Sequence, residues 1–226
     1  MTQACKRLTN LIQNSVDFWA GFDPIEWRPT YQYNWDSEHE WFGAAIDELK
    51  PDLIIEVGSF LGKSAIHMAG KLKAAGLDSA VLCIDTWLAE RQLWSRPEIR
   101  TALKFIHGRP NFYYSFLANV LDAGLTDYIV PMPMDSMSAA SYLKDLQIDA
   151  PLIYIDGNHE AGEVYADLAA YWDRLRPGGI MLIDDYQPSK KPWHMYAGLV
   201  SDVNRFAKER SLTFEVQGVK ARLRKV

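Results

Sequence analysis

"DLIIEVGSFLGKS", residues 52–64, decides how the rest of the chain reads. Residues 52–57 are mostly apolar on both faces, the pattern of a strand buried in a parallel sheet with helices on each side. Gly58 then lets the backbone turn sharply, and Gly62 lets a ligand or the following helix approach closely. A helical stretch over 62–75 follows at once.

The loop stops short of two well-known phosphate cradles. A P-loop needs four residues between its first glycine and Gly-Lys-Ser, and here there are three, Ser59, Phe60 and Leu61. A loop one residue short cannot wrap a triphosphate in the same way, and Glu56 would repel it. The dinucleotide pattern G-x-G-x-x-G is absent as well. What remains is an acid at the end of one strand, a glycine turn, and a second acid, Asp85, ending the next strand. Asp85 is placed to hydrogen-bond ribose hydroxyls. The set suits a nucleoside without phosphates, with positive charge near Glu56. A nucleotide binder of P-loop type is the alternative from a different class.

Outward from this loop, strand and helix alternate from Pro51 onward. Strands are expected at 52–57, 80–85, 128–132, 151–156, 179–184, 211–216 and 219–224. Helices are expected at 62–75, at 96–124 with a break at Pro110, and at 136–146, 159–175 and 196–209. Pro177-Gly178-Gly179 should stop the fourth of these. Such alternation implies a doubly wound α/β fold, a mostly parallel seven-stranded Rossmann-like sheet whose ligands sit beyond the carboxyl ends of the strands. The basic residues Lys220, Arg222, Arg224 and Lys225 alternate with apolar ones and read as one face of a strand. Residues 1–50 differ: nine aromatics fall between Phe18 and Phe42, four of them tryptophans. They read as an N-terminal helical cap, either packed over the sheet or stacking on a ligand, before a domain spanning 51–226.

Composition narrows the classes of function. The 226 residues are 48% hydrophobic and 23% charged, ample for a full core. A net charge of −5 without a basic stripe argues against a nucleic-acid partner. Cys5 and Cys83 cannot make a disulfide framework, and reducing, cytoplasmic surroundings are expected. The first residues lack the apolar core of a signal peptide, and no segment approaches the ~20 apolar residues of a membrane span. Oligomeric state cannot be read, a homo-oligomer being compatible with the sequence.

Four stretches carry a family resemblance: "EVGSFLGKSAIHMA" from 56, "IDTW" at 84–87, "IDGNHEAGEVYADLAAYWDRLRPGGIMLIDDY" at 155–186, and "GLVSDVNRFAKE" from 198. Over about residues 50–226 the chain resembles the class I S-adenosylmethionine-dependent methyltransferases. Within them it looks most like the branch of macrolide-sugar O-methyltransferases and cephamycin-pathway methyltransferase-like proteins. The long third stretch is the specific one. The resemblance implies that Glu56, Gly58, Ser59, Gly62 and Ser64 hold the methionine part of S-adenosylmethionine. It gives Asp85 the ribose, with Thr86 and Trp87 beside it, and sets Asp135 and Ser136 at the adenine. As plain structure, Asp85 would be a turn residue and Ser136 a helix N-cap.

Two strands end in acid. "PLIYIDGNHE", 151–160, stops at Asp156, and 179–184 runs into Asp184-Asp185. If the strands are neighbours, about 4.8 Å apart, three carboxylates converge. Their repulsion is costly unless a cation or a shared proton compensates. An all-oxygen set suits a hard ion, Mg²⁺ foremost, and several members of the branch it resembles carry a metal on acids here. His159, three residues past Asp156, falls where catechol-type enzymes of similar layout carry a catalytic lysine. Placed at a helix N-terminus, it would stay neutral and could accept the acceptor's proton. His194 is a second candidate base, while His39, His67 and His107 read as structural. The expectation is a Mg²⁺-assisted O-methyltransferase acting on a small hydroxylated acceptor, a sugar or natural-product intermediate. A metal-independent methyltransferase and a non-catalytic S-adenosylmethionine-binding subunit are the alternatives.

Overall fold

Parity along the strands builds the layers. In β1 (Leu53–Val57), Leu53, Ile55 and Val57 belong to one apolar cluster and Ile54 to the other, with every residue buried. The computed structural model describes residues 1–13, 16–27, 37–97, 102–188 and 197–226. Its other strands are β2 (Ala80–Asp85), β3 (Ile129–Pro133), β4 (Ala150–Ile155), β5 (Leu175–Ile183), β6 (Phe214–Gln217) and β7 (Lys220–Arg224). They form a seven-stranded sheet in the order β3-β2-β1-β4-β5-β7-β6. The first five strands of that order are parallel, while β7 runs antiparallel to both β5 and β6. Chain order reverses between β1 and β4, and a crevice opens at such a point beyond the strand ends.

One face of the sheet is covered by α1 (Gln3–Gln13), α6 (Ser136–Asp145), α7 (Glu163–Trp172) and α8 (Ala197–Glu209). The other carries α2 (Glu40–Leu49), α3 (Lys63–Ala74) and α5 (Phe112–Asp122). A single turn, α4 (Arg91–Trp94), stands between β2 and α5. Within the first fifty residues, Ala4, Cys5, Leu8 and Ile12 of α1 join the sheet's core, and Trp41 and Phe42 of α2 join the opposite cluster. Phe22 stacks on Tyr114, and Trp27 tilts against the same ring. Tyr31, Tyr33 and Trp35 lie outside the described residues. No described helix is long and apolar enough to cross a membrane.

Two expected helices differ in extent. Over 96–124 the described helix covers only Phe112–Asp122. Before it, Ile106 and Arg109 exchange both backbone hydrogen bonds across a turn in which His107 and Gly108 have positive φ. Pro110 sits just outside the helix. The helix expected from 159 begins at Glu163, because Gly162 is left-handed at φ 90° and interrupts the path. Pro177-Gly178-Gly179 does not follow the helix as a stop. It lies inside β5, where the register to β4 shifts between Ala150 and Leu152.

Candidate active site

The carboxyl ends of β1, β2, β4 and β5 open on a cavity of about 790 Å³. Gly58 brings the first wall together. Its φ is 88°, and a Cβ there would stand 2.0 Å from the Asp156 carbonyl oxygen, so β1 and β4 meet through bare backbone. Asp85 fixes the turn from the side: Oδ2 accepts from the Phe60 amide at 2.8 Å and Oδ1 from the Trp87 amide at 2.7 Å. Burial raises its pKa, while these backbone donors oppose that shift. The Thr86 hydroxyl accepts from the Leu88 amide at 3.1 Å.

Glu56 lies beneath the loop, fully buried. Its carboxylate accepts from Ser59 Oγ at 2.6 Å and Ser64 Oγ at 2.5 Å. Burial lifts its pKa to about 7. Trp87 backs the loop from the other side, its indole N–H donating to the Phe60 carbonyl at 2.8 Å. Gly62 is left-handed at φ 85° and presses on the Phe116 ring. Of the expected cofactor residues, Gly58, Asp85, Thr86, Asp135 and Ser136 therefore line the cavity. Glu56, Ser59, Gly62, Ser64 and Trp87 hold the loop from behind its wall. At the far end Asp135 is the N-cap of α6, accepting from the Ser138 amide at 2.9 Å, which holds its carboxyl below the usual range. Ser136, expected as an N-cap if merely structural, is the first helical residue, and its carbonyl accepts from Tyr171 at 2.8 Å.

The acids at β4 and β5 divide into two environments. Asp156, His159 and Asp185 bring ligand-type atoms within 4.8 Å of one another, a group among the described residues that could hold a metal ion. His159 Nε2 lies 3.4 Å from Asp185 Oδ2 and 3.9 Å from Asp156 Oδ1. Asp185 has φ 55°, the left-handed conformation that aspartate tolerates better than most residues with a side chain. Asp184 also borders the cavity but stands apart from this group. It is 5% exposed, and Lys220 Nζ donates to it at 2.7 Å, Tyr154 Oη at 2.5 Å and the Asp185 amide at 2.8 Å. The Tyr154 hydroxyl also lies 3.1 Å from Asp156 Oδ2. Burial beside Asp184 and Asp185 raises the Asp156 pKa well above that of an ordinary carboxyl.

His159 is not at a helix N-terminus as expected, since α7 starts four residues later. Its pKa falls to about 4 for a different reason, burial. The ring is neutral at pH 7 all the same. His194 lies outside the described residues. His39 accepts from the Trp41 amide as the N-cap of α2, the structural role expected of it.

Residues 55–186 match the family model described as a methyltransferase domain. The chain belongs to this methyltransferase family. Its enzyme class is the S-adenosylmethionine-dependent one that the quoted motifs resemble. No curated protein matches the sequence significantly. Solved structures that are similar in fold include the O-methyltransferase of tomaymycin synthesis from Streptomyces achromogenes in complex with SAM. It is 14% identical, with 100% of this chain and 91% of that one covered and a TM-score of 0.57. An O-methyltransferase from Bacillus cereus in complex with SAH is also 14% identical, with 98% and 97% covered at 0.60. A calicheamicin methyltransferase is 19% identical, with 98% and 91% covered at 0.58.

The methyltransferase also has cavity residues that its sequence did not announce. Asp167 of α7 is 4% exposed and lines the cavity, burial lifting its carboxyl to about 6. Glu90, also on the wall, is lifted by burial to about 7. Arg91 of α4 forms a salt bridge with Glu160, joining α4 to the β4–α7 loop. Tyr154 and Lys220 were hidden because each sits within a strand pattern. Lys220 was read with Arg222, Arg224 and Lys225 as one basic face of a strand, yet it is fully buried while Arg222 and Arg224 pair with Glu215 and Glu48.

Proposed function

We propose that this methyltransferase transfers the methyl group of S-adenosylmethionine to a hydroxyl of a small molecule, a sugar or natural-product intermediate, with help from a divalent cation. The observation that carries the reading is that Asp85 and the Asp156–His159–Asp185 group line one cavity. The similar structures in complex with SAM or SAH add support for the cofactor.

In this reading Asp85 accepts from the ribose hydroxyls, Gly58 lets the methionine end approach the backbone, and Asp135 and Ser136 border the adenine. Asp156 and Asp185 supply hard oxygen ligands suited to Mg²⁺ or Mn²⁺. When bound, S-adenosylmethionine supplies an electrophilic methyl group, and the cation lowers the pKa of the acceptor hydroxyl. His159, neutral because it is buried, takes the acceptor's proton as general base. Its neighbours Asp156 and Asp185 stabilise the imidazolium that results. The aromatic contacts of Phe22 and Trp27 with Tyr114 support a cap role for part of residues 1–50 over a domain at 51–226. Two buried, unbridged cysteines are in keeping with work in the cytoplasm.

The test is formation of S-adenosylhomocysteine from S-adenosylmethionine with a panel of hydroxylated acceptors. Turnover that depends on an acceptor and on Mg²⁺ is expected. Tight binding of the cofactor with no turnover on any acceptor would instead favour a non-catalytic binding subunit.

A further inference from the structure

Lys220 is charged, fully buried and remote in sequence from every motif that pointed to the site. Its Nζ reaches Asp184 Oδ1 at 2.7 Å and the Tyr154 hydroxyl at 3.2 Å, and it sits above the rings of Phe42 and Tyr154. A buried ion pair is rarely a gain over apolar packing, so its presence calls for a role beyond stability. Proton and lone-pair counting supplies one. An ionised carboxylate offers about four acceptor sites. On Asp184, three are taken, by Lys220, the Asp185 amide and Tyr154. Tyr154 has a single proton, and the shorter contact, 2.5 Å against 3.1 Å, gives it to Asp184 rather than to Asp156. Asp156 is left facing a phenolic oxygen and two other carboxylates. Asp185, a quarter exposed at its side chain, stands across from it on the cavity side.

We propose that Lys220 is a positioning residue: its buried ammonium commits Asp184 to the interior and leaves Asp156 and Asp185, beside His159, as the carboxylates that hold the divalent cation. The resemblance had implied one ion shared by Asp156, Asp184 and Asp185. In this chain one of them already has a cation, supplied by β7. Lys220 also keeps a fixed positive charge behind the site, which weakens its hold on a second cation and favours exchange. The proposal rests on the metal-assisted reading above.

Mn²⁺ binding to the purified full chain, followed by calorimetry and by water-proton relaxation, tests it without turnover. Asp185→Asn should weaken Mn²⁺ binding by about a hundredfold or more, as loss of a direct ligand. Asp184→Asn should cost no more than about tenfold, the low end for groups behind a ligand. Lys220→Met should tighten Mn²⁺ binding by about tenfold or more, since Asp184 is released and the fixed charge removed. Lys220→Arg should stay near wild type. Should Lys220→Met not fold, the contrast between the two aspartate variants decides alone. Equal losses for Asp184→Asn and Asp185→Asn, or a folded Lys220→Met that binds Mn²⁺ no more tightly than wild type, would overturn the proposal. Wild type that binds no Mn²⁺ would remove the metal-assisted reading itself, and the proposal with it.

Discussion

Burial discharges His159 and Glu56 alike, holding the imidazole neutral down to about pH 4 and the carboxyl neutral up to about pH 7. For Glu56 the sign is unusual. Its folded pKa lies above the unfolded value, so the folded state binds the extra proton between about pH 4.5 and 7, and this group destabilises the fold as pH rises through that window. Glu56→Gln removes the titration, keeping an acceptor for one of Ser59 and Ser64 and offering an N–H to the other's hydroxyl oxygen. The unfolding free energy of Glu56→Gln relative to wild type should therefore improve by about 3 kcal/mol between about pH 4.5 and pH 8, at 1.36 kcal/mol per unit. Denaturant titrations at several pH values measure it, and a constant difference would mean that the carboxyl is ionised throughout. For His159→Ala, the chemical step should slow by ~10²–10⁴-fold with cofactor affinity nearly unchanged. The loss should shrink at high pH and for acceptors with acidic hydroxyls. Single-turnover profiles that run parallel, at similar rates, would assign His159 a packing role instead.

At the scale of elements, the strands were the legible part, because burial on both faces writes itself as continuous apolar runs at β1, β2, β4 and β5. Helix limits were less so. The stretch before α5 is apolar enough to read as helix, but its path is set by the His107-Gly108 turn, a pairing between residues three apart that periodicity cannot register. Gly162 delayed the start of α7 in the same way. The glycine loop was legible in kind, and the structure adds what its first glycine must avoid. Gly58→Ala would drive a methyl into the Asp156 carbonyl oxygen at a positive φ, and should cost about 3 kcal/mol or more, or abolish folding. Gly76→Ala is the control: φ is also positive, at 63°, but nothing lies within 4 Å, and about 1–2 kcal/mol is expected. Thermal unfolding of the pair separates steric blockage from backbone strain, and equal losses would count against the close approach of β1 to β4.

Across the whole molecule, the site is assembled from strand ends that sequence could list but not pair. Asp85, Asp156, Asp184 and Asp185 were each visible at the end of an apolar run. The division of the last three into a pair grouped with His159 and a lysine-bound acid depends on Lys220, whose partner is 36 residues away and beyond the end of a strand antiparallel to its own. No periodicity carries that information. Chelation is the matching test at this scale: EDTA should remove most turnover and Mg²⁺ restore it, while S-adenosylhomocysteine binding by calorimetry stays largely intact. Full turnover after thorough chelation would leave the metal-independent mechanism.

The position of Lys220 in the chain also sets an order of events during synthesis. A ribosome adding ~5–20 residues per second makes Asp184 roughly two to seven seconds before it makes the lysine that neutralises it. Until β7 is available, β5 has no strand on that side and Asp184 has no ammonium to meet if it is buried, so closing the sheet edge and neutralising the acid fall to the same late segment.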